Sequence, residues 1–119
     1  MITKKSLADG FATFREPWSP RVAGDVNDMQ IKLAKLEGAF VWHSHAAEDE
    51  LFLVVSGRLR MEFREAQVLE PGEFIIVPRG TEHRPVAEEP CEVVLLEPKT
   101  TLNTGDVVNE RTVRRLKRI

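Results

Sequence analysis

Apolar and polar residues alternate with a period of two from Met29 onward, and that rhythm defines most of the chain. Met29, Ile31 and Leu33 interleave with Gln30, Lys32 and Ala34, which predicts a strand with one buried face. Gly38 interrupts the pattern, and Phe40-Val41-Trp42-His43 resumes it. An acidic knot, Glu48-Asp49-Glu50, precedes the apolar run LFLVV, which predicts a strand buried on both sides. Ser56-Gly57 then turns the chain. The cleanest alternation follows, with Leu59, Met61 and Phe63 inward and Arg58, Arg60, Glu62 and Arg64 outward. Pro71-Gly72 and Arg79-Gly80 bracket FIIVP, another expected buried strand, and Val93 to Leu96 form the last, ended by Glu97-Pro98. Strands this short, punctuated by Gly or Pro about every 8–12 residues, predict an all-β sandwich or barrel.

The two ends read differently. Residues 1–28 carry no period; Phe11, Phe14 and Trp18 are scattered among Pro17, Pro20 and Gly24. Three aromatics are costly to leave in water, so this stretch is expected as an extended arm laid over the domain or a partner subunit. At the other end, Asn109 as a cap, Glu110 in a first turn and basic residues after it suit a short helix, with a terminal strand as the alternative. The expected organisation is an arm over 1–28, a β-barrel over 29–108 and a basic tail over 109–119.

Composition narrows the function. The 119 residues suit one compact domain, large enough to bury a core without disulfides. A net charge of −2 attracts neither nucleic acid nor an anionic membrane, and no apolar run reaches spanning length, so neither is an expected partner. The basic tail residues Arg111, Arg114, Arg115, Lys117 and Arg118 are the one candidate for anion binding, set against a solvated face. Cys91, the single cysteine, lies in an apolar run and reads as a core thiol of a reducing compartment. The first residues show no continuous apolar signal segment, and the expected location is the cytoplasm.

The chain has three histidines, and each falls at the edge of an apolar strand beside a turn. On a strand, His43 and His45 project to one face, with Trp42 and Ser44 on the other. Glu50, at the head of the next strand, can point back at them, and His83 follows the turn Pro78-Arg79-Gly80. Three imidazoles and a carboxylate meeting at one point make a first-row transition-metal site. Four protein ligands leave a position open on a five- or six-coordinate ion, which chemistry requires. Glu48 and Asp49 read instead as a solvated turn.

These residues resemble the two motifs of the cupin superfamily. The first reads His43-Ser44-His45, four residues, Glu50, six residues, Gly57; the second reads Gly72, EFIIV, Pro78-Arg79-Gly80, Thr81-Glu82, His83. The likeness is close over 38–83 and looser over 29–97. Two departures occur. Gly38 stands one residue nearer His43 than in the family, and Ala87 replaces an asparagine that is not a ligand. The resemblance implies a double-stranded β-helix, the jelly-roll conical barrel of cupins, with His43, His45, Glu50 and His83 as metal ligands. It implies a divalent transition metal (Mn, Fe, Co, Ni, Cu or Zn) without choosing among them.

Because the family holds isomerases, dioxygenases, decarboxylases, storage proteins and sensors, the fold supplies no reaction. Two classes stay open. One is a small metalloenzyme acting on a small organic molecule, of dioxygenase or isomerase type. The other is a module that binds a small molecule or metal without turnover. Phe52, Met61 and Phe63 are candidate substrate-wall residues, with core packing as the competing role. Arg79 and Arg84 are candidate mouth cations, set against solvated arginines. The chain has no tyrosine, so proton transfer would fall to water or to a carboxylate such as Glu50. Small cupins commonly dimerise, and the arm with the strand from Met29 is the expected exchange element of a homodimer.

Overall fold

In the computed structural model, residues 2–119 are described. A short helix, α1 (Leu7–Phe11), leads into β1 (Arg21–Val26) and the long β2 (Met29–Ala39). Then follow β3 (Glu50–Ser56), β4 (Leu59–Glu62), β5 (Gln67–Leu69), β6 (Phe74–Val77), β7 (Arg84–Pro98) and β8 (Lys117–Arg118). The antiparallel ladder of β2 on β7 is the spine. β7 also pairs with β3 and β4, so the sheet branches there and folds over on itself without closing. This is the all-β sandwich expected from the short, turn-bounded strands, of the jelly-roll kind that the resemblance implies. Among the described residues, no helix is long and apolar enough to cross a membrane.

Register decides which side chains face the interior. Val54 of β3 pairs with Val93 of β7, which pairs with Ala34 of β2, and cross-strand partners share a face. Phe52, Leu95 and Lys32 form the next row, and Glu50 and Glu97 the row beyond. Leu59 and Met61 close the core from β4, both fully buried, with Phe63 packed at its margin. Gly57, between β3 and β4, has φ +80, and a Cβ there would lie 2.6 Å from the Pro90 carbonyl oxygen, so the turn needs glycine.

Three expectations need correction. The first concerns β2, which buries both faces: Lys32, Ala34 and Leu36 enter the barrel, while Leu33 packs outside against Phe11 and Phe14. The alternation was visible, but the inward face is the one that carries the lysine. The outward face is covered because α1 and the segment after it fold onto it, so the extended arm contains a helix and contributes β1. Second, β6 is an edge strand whose Phe74 and Ile76 are 62% and 54% exposed, with Val77 alone of its residues buried. An apolar run does not reveal whether a second layer covers it. Third, of the two forms expected for 109–119, the helix does not form and the terminal strand does. The Asn103 side chain accepts from the Val113 N–H and donates to the Arg111 carbonyl, which directs that backbone to tertiary partners. The tail then runs out as β8, parallel to β1. The LFLVV strand is fully buried inside, at Phe52 and Val54, and half-buried outside. Cys91 is buried, and burial pushes its thiol up to about 11.

Candidate metal centre

The strand ends bring the three histidines together through the backbone. His43 and His83 exchange main-chain hydrogen bonds of 3.0 and 2.9 Å, an antiparallel bridge that sets both side chains on one face. Their rings lie 4.3 Å apart, and that of His45 lies 5.0 and 5.7 Å from them. The Gly80 N–H donates to the His45 carbonyl at 2.8 Å, so the turn before His83 is latched to the His-x-His segment. Glu50, first residue of β3, sends Oε1 to 3.4 Å from His45 Nε2 and 3.5 Å from His83 Nε2. One ligating atom from each of the four residues lies within 4.8 Å of the others, and all four residues are buried.

The hydrogen bonds aim the lone pairs. Nδ1 of His43 lies 2.9 Å from the Val41 carbonyl, and Nδ1 of His83 lies 2.9 Å from that of Thr81. A carbonyl only accepts, so each Nδ1 carries the proton and each Nε2 presents a lone pair. Nε2 of His45 and His83 and Oε1 of Glu50 have no hydrogen-bond partner among the described residues. Buried polar atoms left unpaired are expensive, and several converging on one point suit a shared cation. Burial, with the neighbouring His83, depresses His43 to about 4, which keeps it neutral near pH 7. Burial opposes the charge on Glu50, but the facing Glu97 carboxyl and the His45 and His83 rings outweigh it and hold that carboxyl well below its usual range. Imidazole nitrogens with one carboxylate are the donor chemistry a divalent transition metal takes.

The C-terminal segment closes over this cluster. Asp106 accepts from the Ser44 N–H through Oδ1 at 2.8 Å and donates its own N–H to the Ser44 carbonyl at 3.0 Å. Gly105 adopts φ +56, and a Cβ there would sit 2.2 Å from the Ser44 carbonyl oxygen. No signal in the spacing of the two motifs announces these contacts, because they join residues about sixty positions apart.

A second charged group went unread in the sequence. Lys32 and Glu97 pair at 2.7 Å, with side chains 2% exposed each. Glu97 lies opposite Glu50, one step along the β3–β7 register, and the two carboxyls interact. Burial and then the charge of Glu50 push Glu97 well up, with Lys32 opposing. Parity could have found the pair, since Glu97 follows Val93 and Leu95 on the inward face and Lys32 precedes Ala34 and Leu36. A cavity of about 40 Å³ lies between this pair and the cluster, bordered also by His43, Glu50 and Phe52. Met61 and Phe63 are core residues that do not border it, although the Phe63 and Phe52 rings face His83 at 6.5 and 6.3 Å. Arg79 is exposed and paired with Asp49 at 3.2 Å, and Arg84 pairs with Glu62 over the Trp42 ring. Glu48 accepts from Thr100.

Comparison with known proteins adds a family. A model of the cupin domain matches residues 30–97. A cupin-2 domain protein of Shewanella frigidimarina NCIMB 400 superposes with a TM-score of 0.79 at 45% identity, covering 80% of this chain and 94% of that one. Protein NMB1881 of Neisseria meningitidis gives 0.75 at 29% identity, covering 82% and 100%. The uncharacterized protein YdbB of Bacillus subtilis (strain 168) is 40% identical over 62 residues, 50% of this chain. That match spans 55% of YdbB, about half of its length.

Proposed function

The chain belongs to the cupin domain family, and from that premise we propose that His43, His45, Glu50 and His83 hold one divalent transition metal in a small metalloenzyme. The observation that carries the reading is the set of unpaired Nε2 and Oε1 atoms gathered within 4.8 Å inside the barrel. A bound metal supplies Lewis-acid or redox chemistry to a small organic substrate, of the dioxygenase or isomerase kind. The chain's own residues do the rest. Val41 and Thr81 fix the two imidazole tautomers through their carbonyls. The apolar walls, Phe52 among them, exclude water. With no tyrosine in the chain, a proton is handled by the Glu50 and Glu97 carboxyls, which face one another. Glu50 thus has a place in catalysis as well as in binding.

The small cavity favours a second reading, capture of a ligand without turnover. The lone buried Cys91 suits a reducing cytoplasm, and the exposed apolar outer side chains Phe74 and Ile76 suit the contact of a homodimer. Elemental analysis of protein purified without added metal tests the main reading. About one first-row transition ion per chain is expected, lost in His45→Ala while the β-rich fold persists. Metal-free protein from every expression condition overturns it.

A further inference from the structure

The cavity beside the histidine cluster has apolar walls and a charged interior. Trp18 and Phe40, stacked at 4.6 Å, form one wall with Phe52 near them, and Lys32 and Glu97 lie deeper. The ammonium of Lys32 carries three donors, of which one goes to Glu97 Oε1. Its other donors have no partner among the described residues, although the side chain is 2% exposed, and Glu97 Oε2 is the one acceptor of the pair left unpaired beside them. A buried ion pair adds little stability over apolar side chains of the same size, so stability gives no reason for placing one here. A second cation stands over the aromatic wall. The Arg111 guanidinium lies 5.7 Å from the Trp18 ring and 5.9 Å from that of Phe40, and no carboxylate pairs with it among the described residues.

Lys32 and Arg111 offset the charges of Glu50 and Glu97, so a divalent ion on the histidine cluster leaves the pocket positive. That charge balance rests on the metal reading above. Uncommitted N–H donors on two cations, one of them buried, call for a ligand that accepts hydrogen bonds and carries negative charge. An ammonium compound could pair with Glu97 Oε2 but would meet Lys32, Arg111 and the charge of a bound divalent ion. An alcohol would engage Lys32 and gain little from Arg111. The cavity volume of about 40 Å³ admits roughly three water-sized groups, which limits the enclosed part of the ligand to a few heavy atoms.

We propose that this cavity binds a short-chain monocarboxylate, drawn in by Arg111 and held by Lys32, with its apolar body against Phe52 and the Trp18–Phe40 stack. Trp18 itself reports the binding, because Trp42→Phe leaves it the sole indole of a chain with two. In that background, with metal content measured on each preparation, the protein is titrated with propionate, 1-propanol and propylammonium. Propionate is expected to quench Trp18 at a midpoint about ten-fold below the other two, as one charge-assisted hydrogen bond supplies. Arg111→Gln, at a half-buried surface position, is expected to raise the propionate midpoint about ten-fold with metal content and melting temperature unchanged. Lys32→Met abolishes the preference if it folds. Equal midpoints for the three probes in metal-loaded protein overturn the inference and leave the metal reading intact. So does a propionate midpoint that Arg111→Gln does not move, which assigns the carboxylate to the metal alone. A propionate preference that persists in metal-free protein upholds the inference, while absence of metal from every preparation sinks only the metal reading.

Discussion

In the histidine cluster three imidazoles and a carboxylate are buried with Nε2 and Oε1 atoms unpaired, whereas one row away Lys32 and Glu97 are buried as an ion pair at 2.7 Å. The first group leaves ligating atoms of four residues close together, and its geometry is held by the backbone: the His43–His83 bridge, the Gly80 latch and the carbonyls on Nδ1. The second group is joined side chain to side chain through Lys32 Nζ and Glu97 Oε1, with Glu97 Oε2 left unpaired. The contrast teaches that burial of charge has two meanings in one barrel. One set gathers unpaired polar atoms around a common point, and the other sets the charge and hydrogen bonding of the cavity beside it.

The comparison can be broken from either side, and the largest effect is expected in the cluster. His45→Ala removes a donor that no neighbour can replace, so metal occupancy is expected to fall from about one ion per chain to a small fraction of that. Circular dichroism should still report a β-rich fold, because the backbone bridge joins His43 to His83 and not His45.

Breaking the pair costs fold stability instead. Lys32→Met leaves Glu97 buried beside Glu50 with no cation, and a loss of about 3–5 kcal/mol is expected in urea unfolding. The double variant Lys32→Met with Glu97→Leu replaces both charges by apolar groups of like size. It is expected to be about as stable as the parent, or more so. If the double variant were as unstable as the single one, the pair would be a structural necessity and the contrast would fail.

Proton concentration separates the two groups next. His43 is depressed from 6.5 to about 4 in the fold, so between those values the unfolded chain binds more protons than the native one. Stability from this group is fully present above pH 6.5 and is lost as pH falls through about 4. For metal-free protein the loss is about 3 kcal/mol, read as a falling unfolding midpoint across that window. His43→Gln should flatten the dependence. The smallest effect concerns the closing segment. Gly105→Ala forces a Cβ onto the Ser44 carbonyl at a positive φ, and about 1–3 kcal/mol of stability should be lost, with faster metal release under a chelator.

Much of the site was legible because its spacing is local. His43 and His45 share a face through strand geometry alone, and Glu50 and His83 stand beside turns that the glycines and Pro78 mark. The strands themselves were legible from period and punctuation. Their environment was not, as β2 and β6 show. The alternation of β2 separates two faces without saying which is inward, and here the N-terminal segment covers the outer one with Phe11 and Phe14. The apolar run of β6 carries no sign that it lies at an edge. The tail failed as a helix for a similar reason, since Asn103 takes its backbone groups from a distance.

By itself the sequence determined the class of the fold, the turns and the four donor side chains, because each depends on residues a few positions apart and on the stereochemistry of a strand. Only the tertiary structure decided that Lys32 and Glu97 meet inside the barrel, that Arg111 stands over the Trp18–Phe40 wall, and that Gly105 and Asp106 seal the cluster. These contacts join distant segments. Their positions follow from the register of β7 on its neighbours and from which face the remaining chain covers, and a one-residue shift in that register would exchange the inward and outward side chains of β7.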